Sequence, residues 1–289
     1  MIDLHTHSNA SDGSLSPTAL IDLAADQGLS AIALTDHDTI NGIEAARREA
    51  LVRGIRFIPG VELEIARTRE ISQGEFHLLG LGINRPSGAF LEAVAELARL
   101  REERNLKILG CMQDQGIPVT MEEVTALSGG GSVGRPHFAS FLVKRGIVRN
   151  QEQAFSRFLA RGKSFYVSKG ALEFRHALRL IKESGGIAVL AHPMSLYVSW
   201  GRLPALIGEL KEQGLDGIEA WHPTAKFRAC KRLEALGLSL GLYITAGSDF
   251  HGEARPDRKL GITAGGHKIE DSLLEEIPPL AYPSGDRIS

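Results

Sequence analysis

The sequence predicts an α/β fold, a distorted seven-stranded β/α barrel carrying an inserted helical subdomain. Three observations lead there. Short apolar runs rich in β-branched residues recur along the chain, and most are followed by amphipathic stretches of helical period. The side chains able to bind metal gather at the ends of those runs, and at 289 residues the chain can accommodate one barrel plus an insertion.

Strands are expected near 2–7, 31–36 (AIALTD), 56–63 (RFIPGVEL), 76–83 (FHLLGLGI), 187–192 (IAVLAH), 216–221 (DGIEAW) and 241–247 (GLYITAG). Helical patterns fill 17–28, 41–53, 173–185, 202–213 and 225–236. Pro17 after Ser16 suits a helix cap followed by a first turn, and Gly28, Gly54, Gly185 and Gly214 stand where helices should stop. Helices alternating with continuously apolar strands imply a mainly parallel sheet. From 88 to 165 the rhythm changes to helices alone, at 88–115, 120–127, 136–145 and 151–161. The expected division is therefore a barrel domain of residues 1–87 and 166–289, with 88–165 inserted over its active face. Gly129-Gly130-Gly131 reads as a turn, since no strand precedes it and no Lys-Ser/Thr follows to make a phosphate loop.

Composition narrows the function. Hydrophobic content of 43% with 24% charged residues fits a globular domain, and a net charge of −2 supplies no global field for nucleic acid, so phosphate recognition must be local. Cys111 and Cys230 form no CxxC spacing and are expected to be reduced thiols. The first strand begins by residue 2, leaving no room for a signal peptide, and no apolar run approaches the ~18 residues of a membrane helix. A cytoplasmic protein with no membrane and no evident protein partner is expected.

His5 and His7 are two apart, so in a strand both imidazoles leave one face while Ile2, Leu4 and Thr6 pack on the other. His37 closes the second strand, Glu62 ends the third, His77 opens or lies in the fourth and His192 ends the fifth; Asp249 and His251 follow the seventh. Six of the ten histidines thus sit at or near strand ends, beside Asp12, Glu62 and Asp249. In a barrel those ends converge on one face, which implies a polynuclear metal site.

The opening HxH, TDHD (35–38), GVE (60–62), AHP (191–193) and GSDFH (247–251) together resemble the polymerase-and-histidinol-phosphatase (PHP) family of metal-dependent phosphoesterases. ASDGSLSP, GRPHFASFLV and FLARGKSFYV are similar to the branch holding RNase AM-type 5′→3′ exoribonucleases and nucleoside 3′,5′-bisphosphate phosphatases. The resemblance implies that His5, His7, Glu62 and Asp249 hold one metal. Glu62 bridges to a second, held also by His77 and His192, and Asp12, His37 and His251 take a third. Many relatives carry histidine where this chain has Asp12; a hard oxygen there favours Mn²⁺ or Mg²⁺ over Zn²⁺.

The activated water is then held by metal at Glu62, Asp249 and His192. No serine mechanism is expected, although Ser248 lies in GSDFH. Arg101 and Arg104, three apart on a helix, and Arg135 and His137 before another are the implied phosphate-binding residues. His222 is a further candidate for the cavity wall. Asp3, Asp36 and Asp38 are expected to orient imidazoles. Lys144, Arg145, Arg157, Arg161 and Lys163 form either a basic track for RNA or a solvated surface. The implied substrates are RNA ends, short oligoribonucleotides or nucleoside 3′,5′-bisphosphates. A histidinol-phosphate phosphatase and a non-catalytic metal-binding module are the weaker readings.

Overall fold

A computed structural model describes residues 1–281; the predicted barrel domain's last stretch, 282–289, lies outside the described residues. Seven strands form one sheet in sequence order: β1 (Ile2–Asp3), β2 (Ala31–Leu34), β3 (Arg56–Glu64), β4 (His77–Leu81), β5 (Ile187–Leu190), β6 (Gly217–Trp221) and β7 (Tyr243–Ala246). Most neighbours are parallel, but β4 runs against both β3 and β5. The sheet curls until its edges meet. Leu4 N–H donates to Ala246 O at 3.3 Å, His7 N–H to Phe250 O at 2.9 Å, and Asp249 N–H to His5 O at 2.9 Å. The expected strand 2–7 is therefore hydrogen-bonded on both sides, although only its first residues are regular strand.

Alternation along the strands divides the core. Ala31 and Ala33 of β2 turn inward with Leu4, Leu79 and Val189, joined by Ile269, Leu274 and Ile277 of the C-terminal segment. Ile32 and Leu34 turn outward onto α1 (Pro17–Asp26) and α2 (Ile43–Arg53). Ser16 caps α1, its Oγ accepting from Ala19 N–H at 3.2 Å, and Gly54 ends α2 at φ +65°, a conformation that suits a residue without Cβ. Crossover helices α7 (Phe174–Glu183), α8 (Leu203–Glu212) and α9 (Phe227–Ser239) cover the remaining strands.

Between β4 and β5 lie α3 (Gly88–Asp114), α4 (Met121–Thr125), α5 (Arg135–Lys144) and α6 (Gln151–Ala154), which continues into a π-helical turn at Phe155–Leu159. They share a separate apolar cluster that includes Ile108, Met112, Phe138 and Leu142. Among the described residues, no helix is long and apolar enough to cross a membrane.

The seam between β1 and β7 leaves no space at Gly247. A Cβ there would lie 2.2 Å from His5 Cβ and 2.7 Å from Glu219 Oε1. Because both neighbours belong to packed strands, Gly247→Ala should cost about 2 kcal/mol, in the usual range for overpacking, and lower Tm by several degrees. An unchanged thermal transition would show that the seam yields.

Candidate active site

The closed barrel brings nine predicted metal-capable side chains to one rim. β4 explains how His77 arrives there: it opens its strand, but that strand is reversed, so its start meets the other strands' ends. Glu62, buried on β3, occupies the centre. Its Oε1 lies 2.9 Å from both His77 Nδ1 and His192 Nε2. Its Oε2 lies 3.0 Å from His37 Nδ1, 3.3 Å from His7 Nε2 and 3.4 Å from His5 Nε2. Asp249 Oδ1 is 3.2 Å from His7 Nε2, and Asp12 Oδ1 is 3.3 Å from His251 Nε2.

Ligand atoms fall into three tight groups: His5, His7 and Asp249; His37, Glu62 and His77; and His7, Asp12, His37 and His251. The grouping implied by the resemblance differs in four places: Glu62 stands outside the His5 group and His192 outside the Glu62–His77 group, while His7 and His37 each enter a second group. His7 faces the Asp12 group as well as Asp249, and His37 addresses Glu62 as well as Asp12. Both imidazoles stand between groups rather than in one.

The donor set fits divalent cations. Asp12 Oδ1, Glu62 Oε2 and His251 Nε2 are buried without a hydrogen-bond partner, although each faces the cluster. Buried polar atoms are rarely left so, and His5 Nε2 stands only 3.1 Å from His7 Nε2, a spacing that calls for a shared proton or cation. Protons compete for the same atoms. Burial disfavours charge on His5, yet Glu219 and Glu62 together push its pKa up to about 10; Glu62 likewise overcomes burial at His77 and raises it to about 9. His7 is shifted down, by burial first, and His251 is lowered to about 4, also by burial and then by His7.

Three residues unforeseen in the sequence support the cluster. Glu219, in the middle of β6, takes His5 Nδ1 at 3.0 Å and accepts His192 N–H at 2.7 Å. A carboxylate inside the apolar run DGIEAW was the available signal. Arg258 donates from Nη1 to Asp249 Oδ2, and Lys169 binds Asp38 and Glu64. Neither had a local sequence signature. His222 joins the cluster, its Nε2 3.2 Å from Asp249 Oδ2.

The expected roles of Asp3 and Asp38 need correcting, whereas Asp36 reaches the His7 ring through Ser11, whose Oγ donates to Asp36 at 2.6 Å and lies 3.4 Å from His7 Nδ1. Asp3 accepts from the backbone of His5, Ser248 and Gly261; Asp36 accepts from Ser8 and Ser11; Asp38 accepts from Glu64 N–H at 3.0 Å and Arg101 at 2.7 Å. Asp3 and Asp38 fasten the loops that carry the imidazoles, while Glu219 orients the His5 ring and Ser195 the His192 ring. Ser248 is buried and donates to Asp3. His192, Asp38 and Asp249 hold positive φ values of 28°, 54° and 52°, so backbone strain is concentrated here.

The cluster floors a cavity of about 410 Å³. Arg101, Arg104 and Arg135 reach its wall from α3 and α5, with Arg67, Phe155 and Tyr197 elsewhere on the lining. Arg101 is bound to Asp38, and Arg135 lies over the Tyr166 ring at 5.7 Å. Arg104 is buried, its Nε without a partner; burial first, then Arg101 and Arg135, lower its pKa to about 9. His137 uses one ring nitrogen on its own helix. Its Nδ1 accepts Gly134 N–H at 2.8 Å, closing the first turn of α5, and the ring lies off the cavity lining.

The profile of the PHP domain matches residues 3–174. The chain belongs to the PHP family. It is 36% identical over 249 residues to a 5′-3′ exoribonuclease of Haemophilus influenzae, covering 86% of this chain and 89% of that one. It is 31% identical over 283 residues to a 3′,5′-nucleoside bisphosphate phosphatase of Chromobacterium violaceum, covering 98% and 94%. A crystal structure from Bifidobacterium adolescentis, assigned as a metal-dependent phosphoesterase, superposes with a TM-score of 0.82 at 26% identity over 96% of this chain and 95% of that one. This PHP chain is accordingly a hydrolase of phosphoesters that uses divalent metal, on a distorted β/α barrel.

Two outcomes follow for the PHP cluster. Because His5 and His77 carry protons at neutral pH before a cation binds, Mn²⁺ binding should release protons, and its affinity should rise with pH through the neutral range. Calorimetry in buffers of different ionisation enthalpy reads this directly; proton-independent binding would contradict the ligand set. Glu62→Gln keeps the volume but loses the central charge, and should cut hydrolysis by at least ~10²-fold with bound metal reduced. Near-normal turnover with full metal content would remove Glu62 from the centre.

Proposed function

We propose that this protein is a 5′→3′ exoribonuclease that releases 5′-mononucleotides by cleaving the phosphoester at the 3′ oxygen of a 5′-phosphorylated end. One observation carries the reading: the buried, incompletely partnered guanidinium of Arg104 in the wall above the cluster, backed by Arg101 and Arg135. Three guanidinium groups in mutual repulsion are a receptor for an anion beyond the one hydrolysed. A second phosphate on the same nucleotide supplies it. Relatives at 34–36% identity named as exoribonucleases favour RNA. The relative named as a 3′,5′-bisphosphate phosphatase supports the second reading, since that substrate offers the same two phosphates.

We assign the cations, two or three and Mn²⁺ by preference, to His5, His7, Asp12, His37, Glu62, His77, His192, Asp249 and His251; the hard carboxylate oxygens beside imidazoles suit that ion. When bound, such ions lower the pKa of water and neutralise charge on phosphoryl oxygens. The chain's own groups position the substrate. Arg104 and Arg135 hold the 5′-phosphate, and Asp38, itself clamped by Lys169, fixes Arg101 beside them. Ser195 Oγ, 2.6 Å from His192 Nδ1, and Glu219 fix two imidazoles, while Arg258 holds Asp249. Helices α3 to α6 act as the lid that carries the end-recognising arginines.

Arg104→Ala and Arg135→Ala should each lower kcat/KM about 10- to 10²-fold on a 5′-phosphorylated oligoribonucleotide, the worth of a hydrogen bond to a charged group. On the 5′-hydroxyl counterpart the further loss should be small, because the partner phosphate is already missing. Equal losses on both substrates would place these arginines at the scissile phosphate or in the fold.

A further inference from the structure

Beside the catalytic cavity lies a surface that the hydrolytic cluster does not use. The connection from β6 to α9 lines the cavity with His222 and Thr224, and α9 begins directly after it at Phe227. The first turns of α9 expose Lys226, Arg228, Lys231 and Arg232. Among the described residues none of these four has a carboxylate within ion-pair distance, whereas Arg53, Arg99, Arg145 and Lys182 each do.

Aromatic rings are interleaved with those cations. Phe227 and Lys231 are four apart and share a helix face, with Lys231 Nζ 5.6 Å from the Phe227 ring and 5.8 Å from that of Trp221. Arg232 stands 4.2 Å from the Trp200 ring, on the loop that follows β5. Three residues before Trp200, Tyr197 lines the cavity itself with 78% of its surface exposed. A tyrosine at φ +53° is strained, and this exposed ring packs into no core that would require the strain.

We infer that the strip from Tyr197 across Trp200 to Phe227, Lys231 and Arg232 is the track for the single-stranded RNA downstream of the scissile phosphate. The inference rests on the exoribonuclease reading. Unpaired cations meet the phosphates, and Tyr197 offers an open stacking face. Phe227, packed on Trp221 and His267, and the half-buried Trp200, covered by Arg232, present ring edges and cation-bearing faces beside it. Such a combination of cations and aromatic surface binds single strands without sequence preference. In a chain of net charge −2 the four cations at the start of α9 make a local positive patch, suited to a polyanion. The track also gives the enzyme a reason to prefer a chain over a single nucleotide, which the cavity alone does not.

The test is kcat/KM on three substrates: a 5′-phosphorylated dodecanucleotide, the matching trinucleotide, and adenosine 3′,5′-bisphosphate. Lys231→Ala with Arg232→Ala should slow the dodecanucleotide about tenfold while leaving the two short substrates unchanged. The dependence of log kcat/KM on log salt should flatten by about 1.4, at ~0.7 for each phosphate no longer neutralised. Phe227→Ala should give a length-dependent loss without the change in salt slope. Lys231→Arg with Arg232→Lys should restore the wild-type profile. Unchanged dodecanucleotide rates and salt slope would overturn the inference and leave the strip to another partner, such as an acidic protein. Equal losses on all three substrates would also overturn it, placing the residues in the cavity or the fold. A wild-type enzyme that hydrolyses the bisphosphate and ignores both oligonucleotides would instead overturn the exoribonuclease reading itself, and the track with it.

Discussion

One buried carboxylate organises this protein. Glu62 is almost wholly removed from water, and such a charge is tolerated only when it is matched nearby. Five imidazoles from four segments of chain converge on it. Each depends on the carboxylate, and the carboxylate depends on them, so the ends of β1, β2, β3, β4 and β5 must be in register before any pair is satisfied. The charge balance that divalent ions complete is thus also a constraint on barrel closure. A site built this way cannot be half assembled.

The layer of contacts around the ligands shows where strain is carried. Asp3, Asp36 and Asp38 tie loops to strands through backbone N–H groups and hydroxyls, those loops hold Asp38 and Asp249 in positive-φ conformations, and Glu219, accepting His192 N–H, holds His192 in another. Such conformations cost of order 1–3 kcal/mol each and persist where surrounding contacts over-determine them. Here the surroundings are a closed sheet and buried carboxylates, and the product is a set of ligand atoms aimed inward. Rigidity is the function of this layer.

Two bodies of structure line the cavity: the barrel rim supplies the carboxylates and imidazoles able to hold cations, and helices α3 and α5 supply guanidinium groups. Asp38 links the two, since it accepts both from Glu64 N–H on the barrel and from Arg101 on the insertion. The distance between the guanidinium groups and the carboxylate–imidazole cluster is therefore set in part by the contact that holds α3 against the barrel.

Much of this was legible in the chain. Strand positions followed from period and β-branched runs, and the cluster of metal-capable side chains was visible because histidines and carboxylates recurred at strand ends. The insertion showed as a loss of alternation after residue 87. What sequence could not decide were relations between segments far apart. Strand direction is one: nothing in FHLLGLGI says that β4 is reversed, although that reversal alone delivers His77 to the rim. Partner choice is another. Glu219 is 214 residues from His5, and Arg258 and Lys169 are ordinary basic residues until the crossovers place them on Asp249 and Asp38. His137 Nδ1 accepts from the backbone at the start of its own helix, a use of the ring that only the packed structure reveals. Local spacing determines which side chains share a face; the closed sheet determines which faces meet, because burial and charge are settled between segments that only folding brings together.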